Sequence, residues 1–496
     1  MSSAVSVPPD VVRRTVAPVW CPFHVTIAAL IVVFTYFFCG HSVADPDIWW
    51  HLKDAQILVQ QHHWLRADQF SYTVKGTPWV NSEWLAELAY YGAWCAGGLK
   101  GLFLLYSIVA EAIMVGTLVL CWRASGNIKA AFLPSVIAVM MSVVNFGPRT
   151  ILFGWACFLG MMFVLWKMMN SGRAPLWTLP LIFLAWVNLH GSWLIGLIVF
   201  AIVIVGGLFE GTWEKVYARK WTPAQLRHLL TAFAATIAIL FVNPYGYRVV
   251  FYPFDLAYRQ KLNVAHVEEW MSIDFHETRG KIVFGVLLMI VLLALAARRK
   301  WSVTEVALIC FGLYISLTYV RFLFPAAILI APILSRQLDF MPQYQQEIDR
   351  SWLNAALTIA LMVFVVRHTP GTKMLREDLA KKMPDGGIHY LLNHARSSDR
   401  VYNHYFYGGY LIWNAPSIPT AIDSRTDIFE YKGVFKDYLD VIKLKDSLNV
   451  LDRYHPDYIL FPKEDPVTYM LRQSSRWHLV YEDGVSCVFA RPGAHS

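Results

Sequence analysis

Asp45 and Asp47 stand two residues apart, directly after the first long apolar run, in Asp45-Pro46-Asp47-Ile48-Trp49-Trp50-His51-Leu52. Two carboxylates at that spacing on a membrane surface can hold a divalent cation, Mg or Mn, or one of them can act as a general base. Asp45 can equally cap the helix that follows, with Trp49 and Trp50 as interfacial anchors. Side chains able to answer an anion come later: Arg149, Arg248 and Arg321, with His190, each at the end of an apolar run. A charge at the bilayer centre costs about 2.5–3.5 kcal/mol or more, so one held there has a partner or a task. Arg149 and Arg248 can snorkel to the interface. Arg321, between two short apolar runs, has less room to escape. Two further polar stretches interrupt the apolar pattern. Asn188-Leu189-His190-Gly191-Ser192-Trp193 reads as a broken helix at a cavity or as a tight hairpin. The loop opened by Asn243-Pro244-Tyr245-Gly246 carries Glu268, Glu269 and Trp270, and a solvated helix face is the simpler account of its acids.

The frame for these residues is lipid. The chain has 496 residues, 56% hydrophobic and only 16% charged, and its mean hydropathy is +0.42. Soluble domains carry about 25% charge, so a cytosolic enzyme, a disordered chain and a disulfide scaffold are excluded. The net charge of +8 comes from basic clusters beside apolar runs, which orients a membrane protein and implies no nucleic-acid partner. The seven cysteines contain no CxxC pair and give neither a zinc site nor a disulfide framework.

Apolar runs at 23–43, 101–121, 130–146, 151–169, 176–189, 193–209, 229–242, 282–297, 304–319, 322–334 and 352–366 predict about eleven transmembrane helices. Arg13/Arg14, Arg123/Lys129, Lys167/Arg173, Lys215/Arg219/Lys220, Arg298/Arg299/Lys300 and Arg336 fall in alternate loops, which are cytoplasmic by the positive-inside rule. The first helix is expected to be retained rather than cleaved. The N-terminus is then cytoplasmic, in a multi-pass plasma (inner) membrane protein. The loops 44–100, 147–150, 190–192 and 243–281, the turn at Arg321 and everything after residue 366 lie outside. Residues 1–366 form the transmembrane domain, including the first outer loop 44–100. Residues 367–496 alternate short helices (388–395, 435–444, 466–473) with strands (400–405, 420–423, 457–461, 477–481, 486–490) and form a small soluble α/β domain. Within it Asp423-Ser424-Arg425-Thr426-Asp427 follows a strand end and reads as an ordinary turn.

The whole arrangement resembles the GT-C superfamily of integral-membrane glycosyltransferases: a cytoplasmic N-terminus, many helices, an acidic motif opening the first outer loop, and a soluble outer domain. The local match is confined to 45–73. The Trp-Trp-Asp-Tyr-Gly motif of oligosaccharyltransferases is absent, and Gly147-Pro148-Arg149-Thr150 stands where a second acidic pair is usual, so the pattern is nearer to bacterial polyprenyl-phosphate-sugar users. The resemblance implies a polyprenyl-phosphate-linked sugar donor, transfer to a glycan, lipid or protein acceptor with inversion, and Asp47 as catalytic aspartate, with Asp45 as the alternative. It implies Arg321, Arg149, Arg248 and His190 as candidates for the leaving phosphate, and Glu268 or Glu269 as the missing second acid. Arg321 is then either a phosphate ligand or half of a structural ion pair. Two rival readings are a transporter or flippase of a polar lipid and a membrane assembly protein. A transporter would place its acids mid-membrane and often shows internal repeats; here the acids gather in loops and no repeat is visible.

Overall fold

The computed structural model describes residues 20–40, 42–296, 299–338, 340–345 and 349–493. Arg13, Arg14 and Arg298, which enter the topology argument, lie outside these residues. The chain is mostly helical, and each of the eleven apolar runs falls on a helix. They are α1 (Phe23–Phe38), α3 (Trp84–Ser125), α4 (Ile128–Ser142), α5 (Ile151–Ser171), α6 (Thr178–Leu189), α7 (Trp193–Gly206), α8 (Pro223–Ile239), α11 (Thr278–Ala296), α12 (Val303–Thr318), α13 (Leu323–Gln337) and α14 (Ser351–His368). Between them lie α2 (Ile48–Gln61), α9 (Tyr247–Arg259) and α10 (Lys261–His266). Among the described residues six helices are long and apolar enough to cross a membrane, and α1, α6, α7 and α12 are shorter apolar helices. α3 begins seventeen residues before the apolar run on it and is broken at Gly98, whose φ of 56° and ψ of −134° few residues but glycine adopt.

The helices are apolar both in their interior and on their outer faces. Every residue of α13 is buried, between α3, α4 and α12. α11 and α14 expose Leu292, Leu295, Ile359 and Val366, which lipid accepts and water would not. The chain is an integral membrane protein. α12 ends where Tyr319 turns extended, a single tight turn carries Arg321, and α13 folds back so that Gly312 meets Ile330. The stretch 304–334 is therefore a helical hairpin and not one kinked span. A small sheet joins β1 (Gly211–Thr212), β2 (Val216–Ala218) and β3 (Trp301–Ser302), so the basic residues of 215–220 and 299–300 share one face.

The C-terminal sheet has the order β4 (Val401–Asn403), β5 (Tyr458–Pro462), β7 (Ser486–Ala490), β6 (His478–Glu482), with β4 and β5 parallel and the others antiparallel. The β6–β7 hairpin turns at Asp483, whose carboxylate accepts the N–H groups of Val485 and Ser486. Around it lie α15 (Thr372–Ala380), α16 (Asp385–His394), α17 (Tyr405–Asn414), α18 (Thr426–Tyr431), α19 (Val434–Ile442), α20 (Ser447–Tyr454) and α21 (Pro466–Arg472). Two expectations are corrected here. The strand expected at 400–405 stops at Asn403, because His404 caps α17 by accepting the Phe406 N–H. The strand expected at 420–423 is only a pair of single bridges, from Thr420 to Ser71 and to Val401.

That bridge is part of a broad junction. Trp50, Ile57, Leu65, Val74 and Trp79 of the first long loop share one buried cluster with Tyr402, Ile412, Phe435 and Phe461. The Tyr72 N–H donates to Thr420 O at 3.0 Å, and the Thr420 N–H to Phe70 O at 3.1 Å. α17 packs against α2, and Gly409 makes the approach possible: a Cβ there would lie 2.3 Å from the carbonyl oxygen of Pro46. Gly409→Ala is expected to lower stability by about 1–3 kcal/mol through overpacking. Gly371→Ala, at a position with ordinary φ and open space, should be tolerated. Thermal unfolding in detergent compares the two, and equal melting temperatures would contradict the close approach.

Candidate active site

Asp47 is the last residue before α2, and its backbone is fixed from behind by Asp45. One Asp45 oxygen accepts the Asp47 N–H at 2.9 Å, closing an Asx turn; the other accepts from Arg149 Nε at 2.8 Å. Asp45 is thus neither a helix cap nor a free carboxylate. Trp50 Nε1, one helical turn on from Asp47, donates to Ser424 Oγ at 3.0 Å and more weakly to Asp47 Oδ1 at 3.4 Å. Burial, helped by the neighbouring Asp45 charge, pushes the Asp47 carboxyl up to about 6.

Asp47 opens onto a cavity of about 1030 Å³ at the junction of helix ends, loops and C-terminal domain. Across it Arg149 and Arg321 converge on one carboxylate: Arg149 Nη1 lies 3.1 Å from Glu269 Oε2, and Arg321 Nη1 lies 3.0 Å from Glu269 Oε1. Burial opposes ionisation of Glu269, but the two guanidiniums outweigh it and hold its carboxyl below the usual range. Arg321 also lies over the Trp270 ring, 4.0 Å from the centroid.

The broken helix at 188–193 builds a third side. The Ser192 N–H donates to His190 Nδ1 at 3.0 Å, and burial pushes the imidazole down to about 3, so His190 is neutral and carries its proton on Nε2. That nitrogen faces Glu83 Oε1 at 3.3 Å. Glu83 also accepts from Thr150 Oγ1 at 2.6 Å and lies 3.5 Å from His51 Nε2. One carboxylate thereby gathers groups from α2, α5 and the α6–α7 break.

The C-terminal domain closes the fourth side with Ser424, Arg425, Thr426 and Asp427. Arg425 is fully buried as a side chain and holds Asp423 and, across a sequence separation of 357 residues, Asp68 at 2.7 Å. Tyr252 of α9 donates to Asp427 Oδ2 at 3.0 Å, and burial raises the Asp427 carboxyl to about 6.

Of the residues expected from the sequence, Asp47, Arg149, His190, Glu268, Glu269 and Arg321 line the cavity, and Asp45 stands behind its wall. Arg248 does not belong with them: it is exposed in the first turn of α9 and does not line the cavity. In the Asp45/Asp47 pair, where the sequence points to a divalent cation, each Asp45 oxygen already accepts one hydrogen bond, from the Asp47 amide and from Arg149. Among the described residues no cluster of three His, Cys, Asp or Glu side chains could hold a metal. Sequence reasoning missed Glu83, His51, Tyr252, Ser424, Arg425 and Asp427. The 423–427 motif was visible, but nothing local reveals that it packs against Asp47 and Asp68.

No protein-family model and no curated protein matches the chain. Solved structures do match. ArnT from Cupriavidus metallidurans bound to undecaprenyl phosphate aligns at TM-score 0.51 and 12% identity, over 94% of this chain and 97% of that one. The apo state of the same protein aligns at TM-score 0.50 and 13% identity, with the same coverage. At such identity the likeness establishes the fold: this chain has the GT-C fold that its sequence resembles.

The raised Asp47 carboxyl has a consequence for stability. Its folded-state value lies above its unfolded value near 3.8, so the folded state resists ionisation. Well below pH 3.8 the group is protonated in both states and carries no penalty. The penalty builds as pH rises from there through about 6 and is complete above it. The stability advantage of Asp47→Asn over the wild type should be small at pH 4 and grow by up to about 2 kcal/mol at pH 8, part of the charge being screened by water in the cavity. Melting temperatures at the two pH values check this; an equal difference at both would contradict an enclosed, ionising Asp47.

Proposed function

We propose that the chain is a membrane glycosyltransferase that moves a sugar from a polyprenyl-phosphate carrier to an extracytoplasmic acceptor, with inversion at the anomeric carbon. The observation that carries this reading is the placement of Asp47 and the Arg149–Arg321 pair on one cavity, coupled through Asp45. Asp47 takes the proton of the acceptor hydroxyl as its oxygen attacks the anomeric carbon. The bond from that carbon to the phosphate oxygen breaks, and the electron pair leaves with the phosphate. Arg149 and Arg321 receive the charge there, where guanidiniums match phosphate geometry bidentately. A carboxyl raised to about 6 is ionised at neutral pH yet more basic than an ordinary aspartate, as a general base requires. The shared fold with ArnT, crystallised with undecaprenyl phosphate, supports the choice of carrier.

The reading needs the cavity and the C-terminal domain outside, in a plasma (inner) membrane, with the N-terminus cytoplasmic. The basic face made by 215–220 and 299–300 supports that orientation. Activity in vesicles loaded with undecaprenyl-phosphate-linked sugars is the direct test. Asp47→Asn should lower turnover by roughly 10²–10⁴ with folding intact, and wild-type transfer should rise as pH passes upward through about 6. Near-wild-type turnover by Asp47→Asn would end its assignment as base. Arg321→Lys should weaken undecaprenyl phosphate binding because an ammonium cannot make the bidentate contact. A fall in melting temperature with unchanged lipid affinity would instead make Arg321 half of a structural pair.

A further inference from the structure

Glu269 occupies the point on which the two cavity arginines converge, and it does so as a phosphate would. Each of its oxygens takes one guanidinium nitrogen, at 3.0 and 3.1 Å. Two oxygens of a phosphate span nearly the same distance as the two of a carboxylate. Neither arginine depends on Glu269 for its place. Arg149 is held by Asp45 at 2.8 Å and Arg321 by the Trp270 ring. Of the carboxylates near the pair, Asp45 and Asp47 act on Arg149, and Glu269 is the one that pairs with Arg321, so removing Glu269 leaves the Arg321 guanidinium without an anionic partner. Arg321 Nε is buried without a hydrogen-bond partner, a donor that a carboxylate with two oxygens leaves unserved and a third phosphate oxygen can serve. Glu269 sits on a single tight turn, Glu268–Trp270, with its side chain a quarter exposed.

We propose that Glu269 is a displaceable placeholder: it fills the Arg149–Arg321 site in the unliganded protein, competes with the phosphate of the lipid carrier, and thereby sets the affinity of that site. The inference rests on the carrier reading above and deepens it. While the site is empty of lipid, Glu269 keeps the Arg321 guanidinium from facing a low-dielectric cavity unpaired. When a phosphate arrives, one anion replaces another and little charge is exposed during the exchange. After transfer, Glu269 competes with the carrier phosphate left behind and favours its release. Affinity for the carrier is then the intrinsic affinity reduced by the fraction of molecules in which Glu269 is displaced.

The test is a titration of undecaprenyl phosphate into the full chain in phosphatidylcholine nanodiscs, read by native mass spectrometry, with melting temperatures measured alongside. Glu269→Gln removes the competing charge and should bind the lipid more tightly, by about tenfold. Glu269→Asp, too short to bridge both arginines, should also bind more tightly, by less; it keeps the inference testable if Glu269→Gln unfolds. Asp255→Asn removes a carboxylate of α9 that pairs with Arg259 and does not line the cavity, and should leave the affinity unchanged, which separates competition from a general change of charge. Unchanged or weaker binding by both Glu269 variants, with the wild type binding, overturns the placeholder and makes Glu269 a structural clamp. If neither the wild type nor the variants bind undecaprenyl phosphate, the carrier reading itself fails and this inference falls with it.

Discussion

The carboxylate of Asp45 is the constraint on which the rest of the site depends. It has two acceptor oxygens and spends each on a different part of the chain, one on the Asp47 amide and one on Arg149. The Asp47 carboxyl just before α2 and the Arg149 guanidinium just before α5 are thereby set at a fixed separation. The like charge of Asp45 also helps to raise the Asp47 carboxyl, and the opposite charge of Arg149 limits how far. Replacing Asp45 with a neutral residue would loosen both relations at once, so Asp45 positions Asp47 and Arg149 together. Ionised groups enclosed at a membrane boundary are tolerated only as members of such a network.

The second constraint is the junction between the first long loop and the C-terminal domain. A loop of this length at a membrane surface has no packed core of its own. Here it borrows one, through the shared cluster of Trp50 and Trp79 with Tyr402 and Phe461. The buried triad of Arg425, Asp68 and Asp423 adds directional bonds to that apolar contact. Breaking such a triad by removing one partner costs far more than the intact group contributes. Ser424 is carried to Asp47 by this junction, so the cavity is complete only when the C-terminal domain is docked.

How much of this was legible in the sequence follows from the range of each interaction. Membrane helices are encoded by composition over a window of one helix, and all eleven runs landed on helices. The hairpin at Arg321 was harder, because only the return of α13 against α12 distinguishes it from a kink. Asp45, Asp47, Arg149, Glu269 and Arg321 were readable as chemistry, since charge beside apolar sequence is conspicuous. Their pairing was not, because Arg149 meets Asp45 across 104 residues and Glu269 across 120. Arg248 shows the opposite failure: its position at the end of an apolar run matched that of Arg149, but it sits exposed in the first turn of α9 and does not reach the cavity. Glu83 and Asp427 were read past because carboxylates in loops are common, and only three-dimensional placement separates these from the rest. Gly408-Gly409 carried a usable signal, since paired glycines inside a helix such as α17 call for a close approach on each side.

The central claim is that one cavity brings a carrier phosphate to Arg149 and Arg321 with Asp47 facing the reacting carbon. A structure of the chain in nanodiscs with undecaprenyl phosphate tests it most directly. The account predicts the phosphate within hydrogen-bonding distance of both guanidiniums, inside the cavity that Asp47 lines, with the polyprenyl chain leaving between membrane helices. A phosphate bound elsewhere, with the Arg149–Glu269–Arg321 pairing undisturbed, would contradict it.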